Sequence, residues 1–171
     1  LSVVRAMSEI VGATSVLIAA EYLSNVFDGK GLMLGGVTGV PPTEMVIIGA
    51  GTVGEFAART AIALGAQVKV FDSSVFRLRR LQTNVGSRVF TSVIQPVVLN
   101  KAVQSCDVVI GAMRAKNGRA PCLISEETVS RMKPNSVVID VSIDQGGCFE
   151  TSEVTSHDQP TFRKYEVIHY C

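Results

Sequence analysis

The stretch VIIGAGTVGEFAARTAIALGAQVKVFD, Val46 to Asp72, constrains this chain more than any other. A short apolar run ends in a glycine, and glycines recur at Gly49, Gly51 and Gly54. A helical pattern without proline then runs to Gly65, and a second apolar run, QVKVFD, closes on Asp72. The spacing G-x-G-x-x-G alone is weak evidence in a chain with 15 glycines. Set between a strand and a helix, with an acid ending the next strand, it specifies a strand–turn–helix–strand unit built around an anion. Gly49 permits the tight turn, Gly51 lets backbone approach a pyrophosphate, and Gly54 lets the helix pack closely on the strand. The N–H groups of Thr52 and Val53, with the helix dipole, favour that anion. Asp72, 18 residues after Gly54, is spaced to accept hydrogen bonds from an adenosine ribose. Its charge repels a 2′-phosphate, which points to NAD(H) over NADP(H). Arg77, Arg79 and Arg80 offer a phosphate some compensation, though their spacing also suits a solvated helix face. The plainer alternative is the same fold with no dinucleotide.

The alternation continues beyond this unit. SVFRLRRLQ reads as a helix, RVFTSVI as a strand and PVVLNKAVQS as a helix. CDVVIGAM is a buried strand, SEETVSRMK a capped helix and NSVVIDVS another strand. Repeated units of this kind predict an α/β fold: a doubly wound parallel sheet of the Rossmann type with helices on both faces. Before it, Ser2 to Val26 places Val3, Met7, Ile10, Val11, Leu17 and Leu23 at helical spacing, which predicts a long leading helix burying that face. Asn25 to Pro42 is glycine- and proline-rich, a loop or a pair of short hairpin strands. All 171 residues are assigned to one domain.

Composition narrows the functional classes. With 47% apolar and 18% charged residues and a formal net charge of +1, the chain suits a soluble globular domain and offers no basic tract for nucleic acid. The longest apolar run, VLIAAEYL, falls well short of the ~20 residues that span a bilayer, so no membrane association is expected. Cys106, Cys122, Cys148 and Cys171 form no CxxC pair, and His157 and His169 stand at no ligand spacing from them. They read as reduced thiols of a cytoplasmic protein, with no metal site. VVIDVSIDQGGCFE, Val137 to Glu150, ends a strand in Asp144, Gln145 and two glycines. Asp144 is either a turn-former where the strand stops or a carboxylate set at the mouth of the sheet to handle a proton. The residues alone balance the two.

The chain also resembles the NAD-binding domain of the alanine dehydrogenase and transhydrogenase family. The resemblance spans nearly every residue, through AMSEIVGA, GKGLMLGGVTGVPPTEMVIIGAGTVG, DVVIGA and MKPNSVVIDVSIDQGGCFETS to HYC. The run IDQGGC favours the alanine dehydrogenase branch. Carried over position by position, the resemblance implies that Ser8 reaches the cofactor from the first helix. It implies that Gly49, Gly51, Thr52, Val53 and Gly54 hold the pyrophosphate, Asp72 the ribose, and that Arg77 flanks the adenosine. Gly111, Ala112 and Met113, with Ser142 and Ile143, match positions on the nicotinamide side, and Asp144 matches the catalytic aspartate, which tilts the reading of that residue to chemistry. Asp140 reads as a strand-end residue with a structural partner.

The reaction implied is oxidation of L-alanine with NAD⁺ and water to pyruvate, ammonium and NADH. The lysine, arginine and histidine that grip the substrate in the family lie in a domain absent from these residues. The chain is therefore expected to be a domain excised from a larger enzyme, inactive alone and homo-oligomeric at full length. Leu1 beginning inside a helical pattern and YEVIHYC ending in a strand-like run support that expectation. The chain departs from the family at MRAKNGRAPCLIS, at Glu153, where an arginine is common, and at Ile94, near a common serine. Rival readings are the NAD(H)-binding subunit of a proton-translocating transhydrogenase, a non-catalytic NAD(H)-sensing module, and the nucleotide domain of a 2-hydroxyacid dehydrogenase.

Overall fold

The computed structural model describes residues 2–171. Leu1, counted above in the first helical pattern, lies outside the described residues. Seven strands form one sheet: β1 (Glu44–Ile48), β2 (Gln67–Asp72), β3 (Phe90–Val93), β4 (Val108–Gly111), β5 (Val137–Asp140), β6 (Thr161–Lys164) and β7 (Val167–Tyr170). Their order across the sheet is β3-β2-β1-β4-β5-β7-β6. Every neighbouring pair is parallel except β6 and β7, which are antiparallel. Parallel neighbours need crossovers. These are α2 (Thr52–Ala63), α3 (Val75–Val85), α4 (Pro96–Ser105) and α5 (Glu126–Ser130).

Period-2 alternation of apolar side chains makes the sheet two-faced. Met45 and Ile47 of β1 join Val108, Ile110, Val137 and Ile139 in one core layer, under Ala57, Ala58 and Ala61 of α2. Val46 and Ile48 join Val109 and Val138 in the other, under Leu99 and Val103 of α4 and Val129 of α5. Strands buried on both faces carry near-continuous apolar runs for this reason, and each fully buried Val, Leu or Ile contributes about 1.5–3 kcal/mol. The helix α2 ends as expected, with Gly65 at φ +88 just past its C-cap.

The leading helix, α1 (Val3–Leu23), is where expectation predicted, but its buried face is not. Val3 is 76% exposed, Met7 59% and Ile10 66%, and Val11 and Leu17 also face outward. Of the six residues expected inside, only Leu23 is buried. The buried face is Gly12, Ser15, Val16, Ala19, Tyr22 and Leu23, which keep helical phase at i, i+3, i+4 and i+7. Closeness to α2 selects small residues: a Cβ on Gly12 would lie 2.4 Å from the Val53 carbonyl oxygen. By length and composition α1 is also long and apolar enough to cross a bilayer. The short run VLIAAEYL understates it, because Val3 to Ile10 extend the same apolar helix.

Two other regions differ in detail. Asn25 to Pro42 is loop, with a 3-10 turn at Asn25–Phe27 and a single bridge between Val37 and Val40. At the other end the β6–β7 hairpin extends the sheet beyond β5, closed by Tyr165 and Glu166, both with positive φ.

Candidate functional site

The sheet reverses its winding between β1 and β4, which lie side by side although the chain leaves β1 toward β2. The loops at their carboxyl ends separate there, and ligands of open α/β sheets bind in that crevice. A cleft of about 340 Å³ opens at this point.

The glycine turn forms its floor. Gly49 has φ +114, and a Cβ on it would lie 2.5 Å from the Ala112 carbonyl oxygen, so this position needs glycine for both conformation and space. A Cβ on Gly54 would fall 1.8 Å from the Gly49 carbonyl oxygen. Gly54 is buried and packs the helix start against the strand rather than lining the cleft. Around the Cβ position of Gly51, by contrast, there is no atom within 4 Å. Gly51 is the N-cap of α2 and makes no side-chain cap bond. The first N–H groups of a helix have no intrahelical partner, and Thr52 and Val53, which carry two of them, line the cleft with Gly51.

Asp72 closes one end of the cleft and is 0% exposed. Its Oδ2 accepts the Ala50 N–H at 2.7 Å and its Oδ1 accepts the Ser74 N–H at 2.8 Å. The acid therefore fastens the glycine turn to β2 and holds the start of α3, where Ser74 caps the helix by accepting the Arg77 N–H. A carboxylate has about four acceptor positions; two are used here, and none of the side chain is open to solvent. Arg77 and Arg80, one helical turn apart, line the same end, whereas Arg79 does not.

The opposite end is built by Ala112, Met113 and Arg114 after β4. Arg5 and Ser8 of α1 close the roof, brought there by the tight contact at Gly12. Arg5 is paired with Glu9 at 3.2 Å. Spacing did not single out Arg5 or Arg114, and Arg80 was read with Arg77 and Arg79 either as compensation for a phosphate or as a solvated face. Position 5 becomes visible as cleft-facing only when α1 is known to cross α2 at Gly12.

The remaining candidate residues lie beside this cleft rather than in it. Gly111 is buried, and a Cβ there would meet the Phe149 ring at 2.8 Å and Asp140 Oδ1 at 3.3 Å. The Ser142 hydroxyl donates to the Met113 carbonyl at 2.7 Å, so Ser142 supports the cleft wall from behind. Ile143 lines a separate apolar cavity of about 330 Å³ between α1 and the ends of β5 and β7. Asp144 stands exposed in the 3-10 turn Ile143–Gln145, which Gly146 closes at φ +100. Asp140 is 1% exposed and accepts from the Ser142 N–H at 3.0 Å, the Cys148 N–H at 2.8 Å and the Ser152 hydroxyl at 2.6 Å. Burial raises its pKa and these donors pull it back; it organises the turn that carries Asp144.

Burial also pushes the thiols up, Cys106 to about 12 and Cys148 to about 11, with neighbouring carboxylates adding to the effect. Thiolate is disfavoured at both.

Fold and cleft together define a Rossmann-class domain with an anion-accepting glycine turn at its switch point. The chain belongs to the family described as "Alanine dehydrogenase/PNT, C-terminal domain", whose model matches residues 15–171. It is 46% identical over 165 residues to the alanine dehydrogenase of Mycolicibacterium smegmatis, an alignment covering 96% of this chain and 44% of that protein. A solved L-alanine dehydrogenase superposes with a TM-score of 0.93 at 44% identity, covering 97% of this chain and 46% of that one. The transhydrogenase from Sinorhizobium meliloti superposes with a TM-score of 0.77 at 24% identity over 97% of this chain and 46% of that one, a likeness of fold. The chain thus spans less than half the length of these relatives.

Proposed function

We propose that the chain is the NAD(H)-binding domain of an NAD-dependent alanine dehydrogenase. The observation that carries the proposal is the cleft at the β1–β4 switch point, where the open space at Gly51 meets the unpartnered helix N-terminus and the anchored acid Asp72. The residues fit the cofactor. The Thr52 and Val53 N–H groups and the cationic side chains of Arg77, Arg80 and Arg114 suit a diphosphate. Asp72, anchored at the end of β2, suits the adenosine ribose, and its charge opposes a 2′-phosphate.

Bound NAD⁺ supplies the hydride acceptor for oxidation of the L-alanine Cα. The chain's own residues bind, orient and handle protons. Ser8 and Arg5 cover the cofactor from α1, while Ala112 and Met113 form the wall against its nicotinamide half. Asp144, exposed at the carboxyl end of the sheet, directs water or ammonia and carries a proton to and from solvent. The substrate is held by a second domain, the full-length enzyme is a homo-oligomer, and the setting is cytoplasmic.

The test is an initial-rate assay. Full-length protein reduces NAD⁺ in the presence of L-alanine, and the 171-residue chain alone does not. Full-length protein without alanine-dependent NAD⁺ reduction contradicts the assignment, and turnover by the short chain contradicts the need for the second domain.

A further inference from the structure

The inner end of the loop between β4 and α5 is a wall of the cleft, and its outer part needs an anchor. That anchor is the turn bearing Asp144. The Ala115 N–H donates to Gln145 Oε1 at 2.7 Å, and the Ala120 N–H donates to the Gln145 backbone carbonyl at 2.7 Å. One residue therefore receives both ends of the segment 115–120 and pinches it shut. The stem of Arg119 lies over Gly146, where a Cβ would approach its Cγ at 2.9 Å. The Ser142 hydroxyl adds a bond to Met113, one residue before the cleft-lining Arg114.

We infer that Gln145 is a positioning residue, whose side-chain oxygen holds the nicotinamide-side wall, Ala112 to Arg114, in fixed register with the turn that carries Asp144. The inference rests on the NAD(H) reading above. The chemistry calls for this side chain: it must extend from the residue after Asp144 back to the Ala115 N–H and present an acceptor there. Without the oxygen, a half-buried N–H loses its partner and the wall is free to move relative to Asp144. Supporting bonds of this kind set how well a first layer of ligand contacts is aligned.

The effect is confined to one half of the cofactor, which gives a test that general destabilisation does not mimic. The chain is titrated with NADH, followed by nicotinamide fluorescence, and with ADP-ribose, which keeps adenosine and diphosphate but lacks nicotinamide, followed by calorimetry. Gln145→Ala and Gln145→Met, the second similar in length but without the acceptor, weaken NADH by about 10-fold, the worth of one hydrogen bond. ADP-ribose affinity changes by less than about 3-fold. Gln145→Glu keeps an acceptor oxygen at the same reach and brings NADH back to within about 3-fold of the original chain. Equal losses for both nucleotides, unchanged NADH binding in the Ala and Met variants, or no recovery with Glu overturns the inference. An unsubstituted chain that binds neither nucleotide overturns the NAD(H) reading itself, and the inference falls with it.

Discussion

Asp72 accepts the backbone N–H of Ala50 at 2.7 Å, so the acid that ends β2 is bonded directly to the residue between the first two glycines of the turn that ends β1. Its other oxygen holds the Ser74 N–H at the start of α3. The residue proposed to meet the cofactor is thereby also a strut of the fold.

That double duty predicts a stability cost at this position. Asp72→Ala leaves the buried Ala50 N–H and the half-buried Ser74 N–H unsatisfied, and a buried orphan costs about 1–3 kcal/mol. Urea unfolding is expected to show a loss of about 2–4 kcal/mol. A loss under about 0.5 kcal/mol, the range of an ordinary surface change, means the two bonds contribute nothing to the fold.

The glycines of the turn separate by mechanism. Gly54→Ala puts a Cβ onto the Gly49 carbonyl and is expected to destabilise the chain by several kcal/mol, in the range of strained core substitutions. Gly51→Ala puts a Cβ into open space at φ −78 and is expected to leave the unfolding midpoint nearly unchanged. It obstructs the approach of a diphosphate, so NADH affinity falls at least about 10-fold. Equal melting temperatures for the two variants, or full affinity in Gly51→Ala, count against this division.

His169 sets a pH dependence. It is 0% exposed, stacked on Phe162 at 4.7 Å between ring centroids. Nδ1 donates to the Val167 carbonyl at 3.0 Å and Nε2 accepts from the Thr151 hydroxyl at 2.9 Å, which is the neutral tautomer. Burial holds its pKa below the usual 6.5. The unfolded chain takes up the proton first, so this contribution to stability is complete above about pH 6.5 and is lost as pH falls below it, toward the folded-state pKa. Unfolding at pH 7.5 and pH 5.5 is expected to show lower stability at the acid value, with a smaller difference in His169→Gln. The same difference in both proteins excludes His169 as its source.

Asp144 makes its prediction in the full-length enzyme. Asn keeps shape and hydrogen bonding but takes no proton at neutral pH. Asp144→Asn is expected to lower kcat by about 10²–10⁴ while NADH affinity changes little, because Asp144 does not line the cleft. A kcat within a few fold of the original leaves Asp144 as a turn residue. A large loss of NADH binding makes it a cofactor contact instead.

How much of this was legible in the residues follows from what kind of signal each feature leaves. β1, β2, β4 and β5 are buried on both faces and show as short apolar runs, and the end of α2 shows in Gly65. The glycine turn was readable because Gly49 and Gly54 answer to steric demands within the turn. The face of α1 was misread because Val3, Met7 and Ile10 are large and apolar, whereas the contact with α2 requires small residues in the same phase as Gly12. The strand-like run YEVIHYC holds β7, but β6 and the turn between them were missed because Tyr165 and Glu166 adopt left-handed conformations without the Asn-Gly or Asp-Gly that marks such turns. What holds them is tertiary: Tyr165 donates to Glu126 at 2.6 Å, and Lys164 pairs with the same carboxylate at 2.9 Å. Arg5 and Arg114 enter the cleft through the crossing of α1 and the path of a long loop, and neither leaves a local pattern. Asp144 stands after β5 where its position suggested, and its separation from the cleft is set by the turn that Asp140 organises.

The most direct measurement is a calorimetric titration of this chain with NADH and, separately, with NADPH. The account predicts saturable binding of NADH, weakened by Gly51→Ala, and NADPH at least about 10-fold weaker because a 2′-phosphate meets the charge of Asp72. NADPH binding as tight as NADH, or no binding of either nucleotide, contradicts it.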